Sequence, residues 1–206
     1  KSSFKMTSDS GPVDFKLNML GKHNALNAAA AAILCLQEGI AVETIQESLN
    51  NFMGIDRRMQ ILGIHENDKH TCIYIDDYGH HPTEIEKTIE AIKDSYPTHK
   101  LVMVFQPHRY TRTKDLYTEF VNVLGKVDSL LLMEIYSAGE KAIEGINSTK
   151  LKNSLIESGF QSVELFQDNQ KVIENINQKI NSDTVFVFQG AGDISAISKQ
   201  IQDEIS

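Results

Sequence analysis

The 206-residue chain contains no run of about 18 apolar residues, the length that would suggest a membrane-spanning helix. Its first stretch, KSSFKMTSDSGPVDF, holds no apolar core of the signal-peptide kind. Basic residues are few: 20 Lys and Arg against 28 Asp and Glu, a formal net charge of −8. That balance disfavours nonspecific nucleic-acid binding, which wants a basic surface. Only two cysteines occur, Cys35 and Cys72, each inside an apolar stretch. They read as buried thiols in a reducing cytosol, with no spacing that suggests a disulfide. Three phosphate, nucleophile and dinucleotide signatures are missing: G-x-x-x-x-G-K-[ST], G-x-S-x-G and G-x-G-x-x-G. Arginine is scarce as well: Arg57, Arg58, Arg109 and Arg112 stand against sixteen lysines.

What is present suits a globular chain, with 41% hydrophobic and 23% charged residues, enough to bury a core. Residues 13–20, VDFKLNML, alternate as a strand. An Ala-rich helix is expected from about His23 to Glu38, closed by Gly39, and a second over 42–52. The segment GIDRRMQILG is short, charged and glycine-flanked, and a domain boundary is expected near Gly54. Residues before 13 start no clear element, and the chain begins with Lys1, so a fragment of a longer protein is expected.

Beyond Gly54 the pattern becomes strand, helix, strand, helix. Strands are expected at 71–77, 100–106, 129–136, 162–166 and 184–190. Helices are expected at 83–96, 113–127, 148–159, 169–180 and 193–205. Alternation of this kind predicts an α/β fold: a mainly parallel sheet flanked by helices on both faces.

In such a sheet ligands bind outside the carboxyl ends of the strands. The unusual polar sequences all fall there: DDYGHHPT, QPHRYTRT, EIYSAGE and QGAGDIS. For DDYGHHPT three readings stand: a turn with capping residues, a metal site, or a substrate or nucleotide contact. Adjacent histidines rarely converge on one ion, and no His-x-x-x-His pair accompanies them. In PHRYTRT, His108, Arg109 and Arg112 fall within five residues at a helix N-terminus, where cations oppose the helix dipole. Such a placement favours a functional reason, since arginine binds carboxylates and phosphates bidentately. GAGDIS can cradle an anion or simply pack closely. Asn24 and Asn27, one turn apart, can read a purine edge or cap the helix.

The motifs GKHNALNAAAA, GIDRRMQILG, DDYGHHPTEI, FQPHRYTRT, YSAGE and QGAGDIS occur in the order found in the Mur ligases, which the chain resembles over essentially its whole length. DDYGHHPTE, in place of a version with Phe-Ala before the histidines, is most similar to members that join L-alanine to UDP-N-acetylmuramate. Tripeptide-recycling ligases are the nearest alternative, and a non-catalytic Rossmann-like anion-binding module is a third reading. The resemblance implies residues 1–54 as the incomplete tail of a central P-loop ATPase domain and 55–206 as a C-terminal Rossmann-like, amino-acid-binding domain. It implies cytoplasmic peptidoglycan precursor synthesis through an acyl phosphate, with ATP and Mg²⁺, the metal ligands lying mostly outside this chain. By the same resemblance, His23, Asn24, Asn27, Arg58 and Asp77 serve the nucleotide. Tyr78, His80, His108, Arg109, Arg112 and Ala191 line the amino-acid pocket, and Arg58, His80, His108, Arg109 and Arg112 act at the reacting centre. The segment without its P-loop is expected to be inactive alone.

Overall fold

A computed structural model describes residues 2–8, 11–66 and 69–205. The first residues, expected to start no element, form a strand. β1 (Ser2–Ser8) pairs antiparallel with β2 (Gly11–Leu17), and Phe4 stacks on Phe15 at 5.2 Å. The alternation of Phe4 and Met6 with polar neighbours supplies the apolar face that a hairpin needs. Helices α1 (Lys22–Gln37) and α2 (Val42–Asn51) pack on this hairpin around Phe15, Ala32 and Ile45.

The rest is one six-stranded sheet, in the order β3-β4-β8-β5-β6-β7. Its strands are β3 (Gln60–Glu66), β4 (Thr71–Asp77), β5 (Lys100–Phe105), β6 (Ser129–Met133), β7 (Val163–Phe166) and β8 (Thr184–Gln189). All pairings are parallel except β3 with β4. The expected five strands are thus joined by β3, which the charged segment before it obscured. As an edge strand with exposed Ile61 and Ile64, it lacks the continuous apolar run of its neighbours.

The buried strands divide their side chains by parity. Ile73 and Ile75, Leu101 and Met103, and Val185 and Val187 face one core. Cys72 and Tyr74, Val102 and Val104, and Phe186 and Phe188 face the other. The first core is covered by α3 (Pro82–Ser95), α5 (Tyr117–Leu124) and α6 (Ser148–Glu157), the second by α7 (Asn169–Gln178) and α8 (Ser195–Ile205). Period-2 alternation with both faces apolar is what a doubly covered sheet demands. Residues 113–127, expected as one helix, begin earlier and break. α4 (Tyr110–Asp115) and α5 meet at Leu116, whose φ of −113° is non-helical and whose side chain packs on the first core.

β8 lies between β4 and β5. Its end therefore sits between the loops that follow those two strands. Asp77 and Phe105 are both in register with Gln189.

Candidate active site

The loop after β4 is held by a hydrogen-bonded core. Asp77 Oδ1 accepts from Gly79 N–H at 2.8 Å and from Gln189 Nε2 at 2.7 Å, while Oδ2 accepts from Met59 N–H at 2.9 Å. Gln189 Nε2 also donates to the Gly79 carbonyl at 2.7 Å. Asp77 lines the cleft expected for a nucleotide, yet its carboxylate is engaged by protein donors and organises the loop. Gly79 is required here: a Cβ would lie 2.5 Å from Gln189 Nε2 and 2.6 Å from Asp77 Oδ1.

The next residues begin α3 with a reciprocal cap. Thr83 N–H donates to His81 Nδ1, and Glu84 Oε2 accepts from the backbone N–H groups of His80 and His81. His81 is thus a capping residue, followed by Pro82 at the first helical position. Burial works against the Glu84 charge. The two backbone donors, with His80 and Arg58, outweigh it and hold the carboxyl below its usual range.

Before β3, the Arg57–Met59 segment is fastened to the same rim. Arg57 Nη2 donates to the Gly190 carbonyl at 2.6 Å, and its Nε lies 3.5 Å from Asp76 Oδ2. Asp76 also accepts from Ser198 Oγ at 2.9 Å, and burial raises its pKa while Arg57 opposes the rise. Arg57 and Arg58 both approach the Tyr78 ring, at 5.1 and 5.6 Å from its centroid. Arg57, Met59, Arg109 and Ala138 are the non-glycine residues of positive φ among the described residues, and all lie in these rim loops. Such conformations are costly and persist where the surroundings over-determine them.

Two sub-sites result. The first is a cleft of ≈ 450 Å³ between α1 and the start of α3, lined by His23, Asn24, Asn27, Arg58, Asp77 and Lys87 among others. It gathers all five expected nucleotide residues. Asn24 is buried and donates Nδ2 to the Leu20 carbonyl at 2.7 Å, so part of its amide is spent on the helix start. Asn27 is exposed. His23 has a lowered pKa, chiefly from burial, and is neutral at pH 7.

The second is a row of rings across the ends of β4, β5 and β6. Tyr78 to His80 is 5.3 Å, His80 to His108 is 5.6 Å, and His108 to Tyr136 is 5.5 Å with the planes 20° apart. Arg112 Nη1 is 3.1 Å from His108 Nδ1. Arginine can only donate, so Nδ1 accepts and the His108 proton sits on Nε2. Burial, Arg112, His80 and Arg109 lower the His108 pKa in agreement. Arg109 is exposed, its φ is 73°, and Ala191 lies in the turn after β8. Tyr136 is absent from the sequence-derived set. It lies beyond the end of β6, and a one-residue bridge to His108 places it. Neighbouring Ala138 and Gly139, with φ of 50° and 84°, mark a tight turn after it.

Among the described residues no three His, Cys, Asp or Glu side chains group as a metal site, and no helix is long and apolar enough to cross a membrane. Cys35 and Cys72 are free thiols, Cys72 buried and Cys35 half-buried.

The chain is 44% identical over 190 residues to the UDP-N-acetylmuramate–L-alanine ligase of Buchnera aphidicola subsp. Acyrthosiphon pisum (strain Tuc7), covering 90% of this chain and 39% of that protein. The UDP-N-acetylmuramate–alanine ligase MurC of Thermotoga maritima superposes with a TM-score of 0.76 at 28% identity, over 93% of this chain and 40% of that one. MurF ligase of Thermotoga maritima, solved with ADP, shares the fold at a TM-score of 0.67 and 17% identity, over 98% of this chain and 43% of that one. The chain thus spans about two fifths of the length of these relatives. The family model for the Mur ligase, glutamate ligase domain, matches residues 57–192. Matched by that model over more than half of its length, and carrying a mainly parallel sheet, the chain belongs to the Mur ligase family.

Proposed function

We propose that this chain is the C-terminal part of a cytoplasmic, ATP-dependent ligase that joins L-alanine to UDP-N-acetylmuramate in peptidoglycan precursor synthesis. Residues 1–54 are the tail of its ATP-binding domain, and residues 55–206 are its amino-acid-binding domain. One observation carries the reading. His23, Asn24, Asn27, Arg58 and Asp77, drawn from three separate segments, line one cleft, and the row of rings begins at its edge with Tyr78.

The cleft suits a nucleotide. Neutral His23 and the amides of Asn24 and Asn27 can meet a purine, and Arg58 and Lys87 supply positive charge for phosphates. Asp77 acts by holding the loop from which Tyr78 and His80 project. The carboxylates at the cleft, Asp77 and Glu84, already accept hydrogen bonds from the protein. This fits Mg²⁺ ligands provided mainly by the part of the enzyme outside this chain. When bound, Mg²⁺ would neutralise phosphoryl oxygens.

The row of rings suits the amino acid. Arg109 and Arg112 attract its carboxylate, and His80 and His108 orient it. The reaction activates the carboxyl of UDP-N-acetylmuramate as an acyl phosphate. A C–N bond to the alanine amine then forms, the C–O bond to phosphate breaks, and the amine loses a proton. Negative charge that develops on the tetrahedral oxygen and leaving phosphate is stabilised by fixed cations, here Arg58 and Arg112.

The test is phosphate release by the longer protein that contains this chain. Release should require ATP, UDP-N-acetylmuramate and L-alanine together. Release driven by a tripeptide and not by L-alanine would overturn the assignment. The 206-residue segment alone should release no phosphate above a blank, because it has no P-loop.

A further inference from the structure

We infer that Glu140 is a positioning residue for the rim arginines: from the turn that follows Tyr136, its carboxylate caps α4 and so holds Arg112 against His108. What those arginines bind rests on the reading above; the cap itself does not.

α4 cannot cap itself. The N–H groups of its first turn need acceptors from outside the helix. Its N-cap residue is Arg109, which has donors only and makes no side-chain cap. No acidic residue stands in its first turn. His108, Arg109 and Arg112 gather at this end instead, where the helix dipole disfavours positive charge. Arg109 also holds a φ of 73°, costly for a residue with a long side chain.

Glu140 supplies what α4 lacks. Its Oε2 accepts from Thr111 N–H at 3.0 Å, and its Oε1 accepts from Thr111 Oγ1 at 2.6 Å. These two bonds hold the Glu140 carboxyl below its usual range, and Arg109 and the Tyr110 N–H add to the pull. The turn before Glu140 delivers it. Glu140 N–H donates to the Ser137 carbonyl at 3.0 Å, across Ala138 and Gly139 with φ of 50° and 84°. Arg109 N–H donates to the Tyr136 carbonyl at 2.8 Å, so the same loop grips both the N-cap residue and the first turn of α4. Arg112 lies one turn into that helix, with Nη1 3.1 Å from His108 Nδ1. Glu140 therefore acts on Arg112 through the helix start.

Two readouts separate this role from that of a mere surface bond. Burial, Arg112, His80 and Arg109 lower the His108 pKa, and Glu140 raises it. Loss of the Glu140 charge alone would move the His108 titration down, whereas release of Arg112 would move it up. In the 206-residue chain, Glu140→Ala should move the His108 ring titration up in NMR and open the Thr111 amide to hydrogen exchange. Glu140→Gln, which can still accept from Thr111 N–H and donate to Thr111 Oγ1, should not move it up. In the longer protein, Glu140→Ala should raise the KM for L-alanine by about 10–100-fold, the scale of a displaced binding group, and leave the KM for ATP unchanged. Glu140→Gln should restore most of that loss. A His108 titration that falls or stays in Glu140→Ala overturns the inference, and so does an equal rise of both KM values. A longer protein that does not use L-alanine overturns the proposed function instead, and the direction of the His108 titration still decides whether Glu140 positions Arg112.

Discussion

Gln189 and Asp77 lie side by side in register on β8 and β4, and one Gln189 amide nitrogen serves two acceptors, Asp77 Oδ1 and the Gly79 carbonyl, each at 2.7 Å. Gln189 is fully buried, and its Oε1 has no hydrogen-bond partner. Replacing it with Leu leaves two buried acceptors short of a donor. The unsatisfied groups should cost about 1–3 kcal/mol of stability, read by urea unfolding of the 206-residue chain. A loss too small to measure would show that the loop after β4 does not depend on this bond. Gln189→Glu, which sets a second carboxylate beside Asp77, should be at least as damaging.

Arg57 and Asp76 are a half-buried pair that ties the segment before β3 to the sheet. Arg57→Ala leaves Asp76 buried beside Ser198 alone, at a cost of roughly 3 kcal/mol. The Asp76 pKa, already raised by burial, should rise further without the arginine. A carboxyl whose folded pKa lies above its unfolded value loses stability as pH rises between the two. The deficit of Arg57→Ala should therefore be largest at neutral pH and shrink toward pH 3.8, the ordinary aspartate value. Adding Asp76→Asn should recover part of it. A deficit that is flat with pH contradicts the pairing.

Glu84 has the opposite sign. Its folded pKa is lowered, so its contribution is present above the ordinary value of 4.5 and is lost as pH falls through the folded value. Glu84→Ala removes the acceptor for the His80 and His81 N–H groups and should cost about 1 kcal/mol, the usual worth of a cap. Stability curves of the two proteins should converge in acid. Parallel curves down to pH 3 would count against the cap.

His108 should stay neutral below its ordinary pKa of 6.5, because burial comes first and Arg112 second among the causes that lower it. Arg112→Ala should move the His108 titration upward, as followed by histidine ring resonances in NMR. If the longer protein is the ligase proposed above, the same change should lower its kcat/KM by the equivalent of about 2–4 kcal/mol, the scale of one preorganised donor. An unmoved titration would mean that the 3.1 Å contact does not persist in solution.

The strands and helices beyond Gly54 were legible because short both-face apolar runs such as TCIYIDD and TVFVFQG, alternating with helical patterns, suit strands of a doubly covered, mainly parallel sheet. The rim motifs were legible by their chemistry, since arginine is scarce and clusters in two loops. β1 escaped because SSFKMTS holds only Phe4 and Met6 as apolar signals and needs β2 to bury them. β3 escaped because an antiparallel edge strand need not be apolar. Neither Tyr136 nor Gln189 could be assigned a role from the chain, because both roles depend on neighbours far away in sequence. Local periodicity reports which face of an element is buried, and so the sequence by itself determined the α/β class and the loops in which the unusual polar residues gather. Strand order is decided by which crossovers pack, a competition among distant segments. Only the tertiary structure placed β8 between β4 and β5, set Gln189 against Asp77, brought Arg57 to Gly190, and laid Tyr136 on His108.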